Sequence, residues 1–356
     1  MDCDTETIFQ IIFDYFQTEI TGLCQMNCMH CRGKRERKKD VHIDQILKIF
    51  DFVVTFTPKK YLAKITAIIS GGEPTLHKSF LSIIKALKKR AIERVAITSN
   101  GLLINEELLK KIAENKFNSL LLSISLDDLS KTCHDDFRRF DGAWEAAIGA
   151  LELAAKLSNN LGLTVGMRTT IRPDQIPEME KFVELAKNIG CHCVAFSSVH
   201  PVGEAVNNPE FFMNKSQKKD FIQKVLDLNA NSNIAVESND PLTCLLTEKQ
   251  NNKEKDMIIS GCGAGIVTFN INSKLEMTPC ALSERPVIMN TTNMTVKEIA
   301  DKYVNSPIIK KLLLREFGGK CGDCPQKLGY NCGGCRVRAL YNSDNYFGGD
   351  PDCWIN

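Results

Sequence analysis

Cys24-Gln25-Met26-Asn27-Cys28-Met29-His30-Cys31 decides how the rest of this chain is read. Its three cysteines are spaced C-x3-C-x2-C and follow a strand-like run over 16–21. Cysteine thiolates are the usual ligands of iron–sulfur clusters. Three of them in one eight-residue loop hold three irons of a cubane and leave the fourth open to an outside ligand. A structural zinc site is the competing reading. It wants four closed ligands, usually in CxxC pairs, and this loop supplies three.

Outward from that loop the chain alternates. Helical periodicity over 43–56, 80–90, 106–114, 144–157 and 176–189 is interleaved with strand-like runs over 65–70, 94–98, 119–125, 163–171 and 193–198. With the first strand, that makes six strands alternating with helices, which predicts an α/β fold of parallel βα units. Right-handed crossovers wind such units into an open or closed barrel. Loops at the C-terminal ends of the strands then carry the chemistry.

The strand ends hold the remaining motifs. The second strand runs into Gly71-Gly72-Glu73-Pro74, where two glycines let backbone approach a ligand and Glu73 offers a carboxylate to a cation. The next ends in Thr98-Ser99-Asn100-Gly101, and the one after in Ser123-Ile124-Ser125-Leu126-Asp127, followed by His134-Asp135, Arg138 and Gly142. Each piece is weak alone; their order on successive strand ends is specific.

Loop and strand ends together resemble the radical S-adenosylmethionine (radical SAM) superfamily. The resemblance implies a partial (β/α)6 barrel and a [4Fe-4S] cluster on Cys24, Cys28 and Cys31. The open iron would bind the amino and carboxylate groups of S-adenosylmethionine, and one electron would cleave it to a 5′-deoxyadenosyl radical. It further implies that Gly71, Gly72, Glu73 and Pro74 meet the cofactor's amino group, with Ser99 and Asn100 in the adjoining turn. Ser123, Ser125 and Asp127 would face the ribose, and Arg138 the methionine carboxylate. The turn Pro201-Val202-Gly203-Glu204 stands where related enzymes often carry P-T-G-R, so the basic side chain is missing.

Composition agrees with a metalloenzyme. The chain has 356 residues, 43% hydrophobic and 25% charged, which suits one large and one smaller globular unit. A net charge of +2 argues against a nucleic-acid footprint. No run approaches the roughly 18 to 20 apolar residues of a membrane span, and the acidic start Met1 to Glu6 does not open a secretory signal. The fifteen cysteines are therefore expected as reduced thiols in a cytoplasmic protein. Residues 8–15 read as a short helix-like run, 33–39 as a basic loop and 248–256 as a charged, exposed loop. The expected division is 1–205 for the barrel, 206–260 for a bridging segment and 261–356 for a cysteine-rich domain.

That last region holds Cys262 in Cys-Gly-Ala-Gly, a strand-like run over 266–271, Cys280, Cys321-x2-Cys324-x7-Cys332-x2-Cys335 and Cys353. The two CxxC pairs alone fit a zinc ribbon, but that leaves Cys262, Cys280 and Cys353 unused. Seven cysteines in this order resemble the SPASM extension of radical SAM enzymes, which binds auxiliary four-iron clusters. The resemblance implies an outer cluster on Cys321, Cys324, Cys332 and Cys353, and an inner one on Cys262, Cys280 and Cys335. Two departures stand out: x7 and x2 replace the usual x5 and x3, and Leu275 sits where glycine is common. Cys244 is the nearest spare thiol, to be read as the inner cluster's fourth ligand, a hydrogen-atom donor, or a buried small hydrophobe.

The resemblance spans residues 17–356. It implies post-translational modification of a ribosomally made peptide, with an electron donor such as ferredoxin or flavodoxin and either a separate peptide-recognition protein or direct docking. Tetrapyrrole side-chain chemistry is the alternative, because Cys31-Arg32 and Cys332-Gly333-Gly334-Cys335-Arg336 also resemble enzymes of alternative haem synthesis. A non-enzymatic iron–sulfur or zinc protein is a third reading, disfavoured because a metal binder needs no nucleoside site.

Overall fold

The computed structural model describes residues 12–33, 39–247, 261–329 and 332–355. Seven strands follow one another as βα units: β1 (Tyr15–Thr21), β2 (Thr66–Gly71), β3 (Arg94–Ser99), β4 (Ser119–Ser125), β5 (Thr164–Ile171), β6 (Cys193–Ser198) and β7 (Ala235–Glu237). Each pairs in parallel with the next. Three more, β8 (Thr268–Ile271), β9 (Glu276–Thr278) and β10 (Met289–Asn290), complete one sheet in the order β10-β9-β8-β1-β2-β3-β4-β5-β6-β7. The order has two ends, so the barrel is open.

Alternation along each strand sorts its side chains. Phe16, Thr18 and Ile20 of β1 are buried under the helices, as are Val165, Met167, Thr169 and Ile171 of β5. The other parity, including Tyr15, Gln17, Glu19, Ser123, Ser125 and Arg168, faces the concave side. Helices close the convex side. Ile43–Phe56 buries Ile46, Ile49, Phe50 and Val53, an i, i+3, i+4, i+7 stripe. The helix expected from 176 starts at Met179, because Pro173 and Pro177 lack backbone donors and the chain runs as a 3-10 turn over Pro173–Glu178.

The C-terminal region shares this core. β8 continues the sheet beyond β1, in parallel register from Tyr15↔Thr268 to Thr18↔Ile271. Phe269 of β8 meets Phe13 at 4.8 Å and stacks on Phe16 at 5.8 Å, and Tyr303 closes on Phe13 at 5.6 Å. Each such buried ring contributes about 1.5–3 kcal/mol.

The segment expected to bridge also joins the sheet. Its helix Lys215–Asn231 leads to β7 on β6, and Asn229 accepts a hydrogen bond from the Val236 amide at 3.1 Å. The Asn-rich stretch thus contains a strand that polar composition hid. The run over 8–15 ends differently from expectation: Tyr15 opens β1, while residues 1–11 lie outside the described residues. The basic loop is described only at Gly33 and Lys39, and the charged loop over 248–256 is not described. Among the described residues no helix is long and apolar enough to cross a membrane.

Candidate active site

The cysteine loop leaves the C-terminal end of β1 and is tied down on three sides. The Asn27 and Met29 amides donate to the carbonyls of Arg138 and Phe137, at 3.3 and 2.9 Å. The Glu204 amide donates to the Cys31 carbonyl at 2.8 Å, and Asn208 Nδ2 donates to the Met29 carbonyl at 3.2 Å. Gly203 has φ +57°, and a Cβ there would lie 2.3 Å from the Cys31 carbonyl oxygen. The turn that lacks the family's arginine is therefore a backbone cradle for the loop.

Cys24, Cys28 and Cys31 lie within one another's electrostatic reach. Burial pushes the Cys28 thiol up to about 12, against the pull of Arg138. Nη1 of Arg138 stands 3.7 Å from Cys28 Sγ, and Nδ2 of Asn100 stands 3.9 Å from Cys24 Sγ. N–H donors aimed at the sulfurs of clustered cysteines fit an iron–sulfur cluster, whose thiolate sulfurs accept such bonds.

Gly71 and Gly72 cross directly over the end of β1. Gly71 has φ +145°, and Cβ atoms at the two positions would lie 2.3 and 2.1 Å from the carbonyl oxygens of Thr21 and Leu23. Only glycine permits that approach. Glu73, 1% exposed, accepts from the Thr75 amide (3.2 Å), Thr75 Oγ1 (2.6 Å), Ser99 Oγ (2.9 Å) and the Asn100 amide (2.8 Å). Its carboxylate clamps the ends of β2 and β3 together. Pro74 opens the 3-10 turn that follows.

The end of β4 carries a buried ion pair. Asp127 is fully buried, paired with Arg138 at 2.5 Å, 3.8 Å from His30 Nε2, and accepting from the Thr170 amide at 2.8 Å. Burial alone would raise its carboxyl, but Arg138 and His30 outweigh that and bring it to about 2. Asp127 and Arg138 are thus paired with each other, and Arg138 also reaches Cys28. Ser125 is the partly exposed group on the concave side of that strand end.

The rest of the His-Asp-x-x-Arg run is scaffold. His134 Nδ1 accepts from the Asp127 amide at 3.1 Å. Asp135 accepts from the Gly142 and Trp144 amides at 3.0 and 2.8 Å, holding the start of the helix Ala143–Leu161. Sequence reasoning missed His30, which stacks on Phe137 at 4.5 Å and is kept neutral by burial, with its pKa lowered to about 4. Its place between Cys28 and Cys31 was the available signal. It also missed Arg168. Asp127 attracts this guanidinium, while Arg32 and Arg138 repel it. Arg32 is paired with Glu19 at 3.2 Å and Arg138 with Asp127, while Arg168 has no ion-pair partner within 4 Å among the described residues and shares the field of Asp127.

Every described cysteine is a free thiol, and no three ligand-type side chains among the described residues already enclose a metal position. The C-terminal cysteines nevertheless sort into two groups. Cys321, Cys324, Cys332 and Cys353 line one cavity, with Lys320 at its rim. Arg336 Nη2 and the Asp350 amide point at Cys321 Sγ from 3.6 and 3.4 Å. Cys262, Cys280 and Cys335 interact with one another, and burial raises Cys280 and Cys335 to about 12. Arg32 donates to the Ala281 carbonyl, tying the first cysteine loop to this group. Cys244 is 1% exposed, donates to the Pro241 carbonyl at 3.0 Å and lies in the field of Cys332 and Cys353. It therefore sits nearer the outer group than the inner one, and its three readings stay open.

A family comparison matches residues 18–186 to the Radical SAM superfamily. The chain is 25% identical over 350 residues to the AdoMet-dependent heme synthase of Methanosarcina barkeri, covering 94% of each chain. It is 24% identical over 345 residues to the antilisterial bacteriocin subtilosin biosynthesis protein AlbA of Bacillus subtilis, covering 92% of this chain and 68% of that one. In fold it is similar to Streptococcus suis SuiB bound to its precursor peptide SuiA, with a TM-score of 0.73 at 18% identity, covering 97% and 76%.

Proposed function

This chain belongs to the radical SAM superfamily, with the cysteine-rich C-terminal region of its SPASM-type members, and we propose that it abstracts hydrogen from a ribosomally made peptide. Three [4Fe-4S] clusters are proposed: one on Cys24, Cys28 and Cys31, and two auxiliary ones on the outer and inner cysteine groups. Bound at the first, a reduced cluster and S-adenosylmethionine supply the 5′-deoxyadenosyl radical.

The chain's own residues then orient and shield. Gly71 and Gly72 bring backbone to the cofactor's amino group, while Glu73, Ser99 and Asn100 hold that backbone in place. Ser123 and Ser125 present hydroxyls to the ribose. With Arg138 held by Asp127, Arg168 is the cation left for a carboxylate. An external one-electron donor of the ferredoxin or flavodoxin kind would reduce the clusters.

The observation that carries the peptide reading is the charge of the mouth. Among the described residues Arg32 and Arg138 are held in ion pairs and Arg168 alone is not, whereas a tetrapyrrole brings several carboxylates that need several cations. The likeness to a fold solved with a precursor peptide supports the same reading. Tetrapyrrole chemistry is the second reading, favoured by the similarity to a heme synthase over 94% of both chains. Mass spectrometry with dithionite, S-adenosylmethionine and candidate substrates tests the two. A small mass loss or deuterium incorporation in a peptide is expected. Decarboxylation of a porphyrin precursor, with every peptide inert, overturns the proposal.

A further inference from the structure

Asp350 is fully buried, and three cysteines from the two C-terminal groups converge on it. Its Oδ2 accepts from the Cys335 amide at 2.6 Å, on the inner side. Its own amide points at Cys321 Sγ from 3.4 Å, and its carbonyl accepts from the Cys353 amide at 3.3 Å, both on the outer side. The two sides are separate places in the fold. Cys335 lies in a buried apolar cluster against which Cys280 packs, whereas Cys321 and Cys353 line the outer cavity. Asp350 is pressed between them: a Cβ at Gly334, which also lines that cavity, would lie 2.4 Å from Asp350 Cβ. The carboxylate is held from behind as well. Arg338 of the helix Arg336–Ser343 donates Nε to Oδ1 at 3.0 Å and Nη2 to Oδ2 at 2.7 Å. The same guanidinium reaches Asp240 at 2.7 and 3.1 Å, and Asp240 pairs with Lys218 of the helix Lys215–Asn231 at 3.1 Å. Four buried charges thus run from the barrel to both cysteine groups.

We propose that Asp350 is a positioning residue shared by the two auxiliary clusters: it seats Cys335 of the inner group and Cys321 and Cys353 of the outer group around one fixed carboxylate, so the two clusters keep one spacing. The inference rests on the C-terminal cysteines being cluster ligands. A buried ionic network adds little stability over apolar packing of the same volume. What it supplies here is direction, because the two-pronged contact with Arg338 fixes the plane of the carboxylate. Groups that hydrogen-bond to metal ligands orient them. Asp350 does so for both groups at once, through its side chain on one side and its backbone on the other. Its negative charge also lies beside both groups. It disfavours the reduced clusters, which carry more negative charge, and so lowers both reduction potentials.

The test is a redox titration of the full-length, anaerobically reconstituted chain, followed by electron paramagnetic resonance, with iron counted per chain. The spins of two reduced auxiliary clusters couple, and the dipolar splitting falls with the cube of their separation, so it reports spacing. Asp350→Asn should keep the wild-type iron content and the signal of the first cluster. It should change the splitting and raise both auxiliary potentials, by about tenfold in each one-electron equilibrium, or 59 mV. Asp350→Glu keeps the charge on a longer arm, so it should change the splitting and leave the potentials near wild type. Lys218→Met breaks the same network at its barrel end, where Lys218 bonds to Asp240 and Ser198. It should lower the urea midpoint and leave the splitting unchanged. An unchanged splitting in both Asp350 variants reduces the residue to packing and overturns the proposal. An equal change in Lys218→Met marks general loosening and overturns it too, as does a change in one auxiliary potential alone in Asp350→Asn. If Asp350→Asn does not fold, the splitting of Asp350→Glu decides. A wild-type chain that binds iron only at the first cysteine loop removes the cluster reading itself, and the proposal with it.

Discussion

Arg138→Ala probes the most heavily charged contact in the barrel. In the structure Arg138 neutralises Asp127 at 2.5 Å and points Nη1 at Cys28 Sγ from 3.7 Å. Removing it leaves a fully buried carboxylate beside a thiol, and breaking a buried pair from one side costs about 3–5 kcal/mol. A second route gives a similar scale. Asp127 is lowered from 3.8 to about 2, and at 1.36 kcal/mol per unit that is about 2 kcal/mol of stability. Because the folded value lies below the unfolded one, this stability is fully present above pH 3.8. It is lost as pH falls from about 3.8 towards 2. Arg138→Ala should abolish that acid-limb contribution and lower the urea midpoint followed by circular dichroism. Adding Asp127→Asn should recover at least half the loss, since the stranded charge is gone. Equal stability of wild type and Arg138→Ala would falsify the paired-scaffold reading. It would return Arg138 to the role of a free carboxylate ligand, to be seen as weaker S-adenosylmethionine binding alone.

Replacing Cys24, Cys28 and Cys31 together with Ala should remove about a third of roughly 12 irons and abolish cofactor cleavage; a zinc-loaded, iron-free C-terminal region would sink the auxiliary clusters. Cys244→Ala should perturb the spectrum of the outer cluster, because its thiol lies in the field of Cys332 and Cys353. A change confined to the inner cluster would contradict that placement, and lost product with intact spectra would make it a hydrogen donor. Leu275→Val should destabilise by about 1–2 kcal/mol in thermal unfolding, since Leu275 has φ +62° and a β-branched residue tolerates that region worst. Leu275→Gly should stay within about 1 kcal/mol of wild type, strain relief offsetting lost packing; a large loss in the glycine variant would show that packing rules the turn.

The sequence by itself determined whatever depends on neighbours along the chain. Hydrophobic period placed β4 and β6 at their observed bounds, 119–125 and 193–198, and one helix at 43–56. Gly71 and Gly72 were legible as a close backbone approach, because that is a local demand with a residue-type signature; only the resemblance marked Leu275 as standing where glycine is common, and its φ is +62°. The C-terminal cysteines were grouped by the resemblance alone. Tertiary structure alone decided the partners. Asp127 and Arg138 both looked like ligand contacts. Only the fold shows a carboxylate and a guanidinium too buried to stay unpaired, which bind each other because an isolated charge there costs more than the pairing does. Likewise β7 hides in a polar stretch, where register with β6 outweighs weak local preference. Cys244 lies 88 residues before Cys332, and the fold brings it into the field of that thiol. Such contacts are set by how the sheet and its extension close, and no spacing along the chain encodes them.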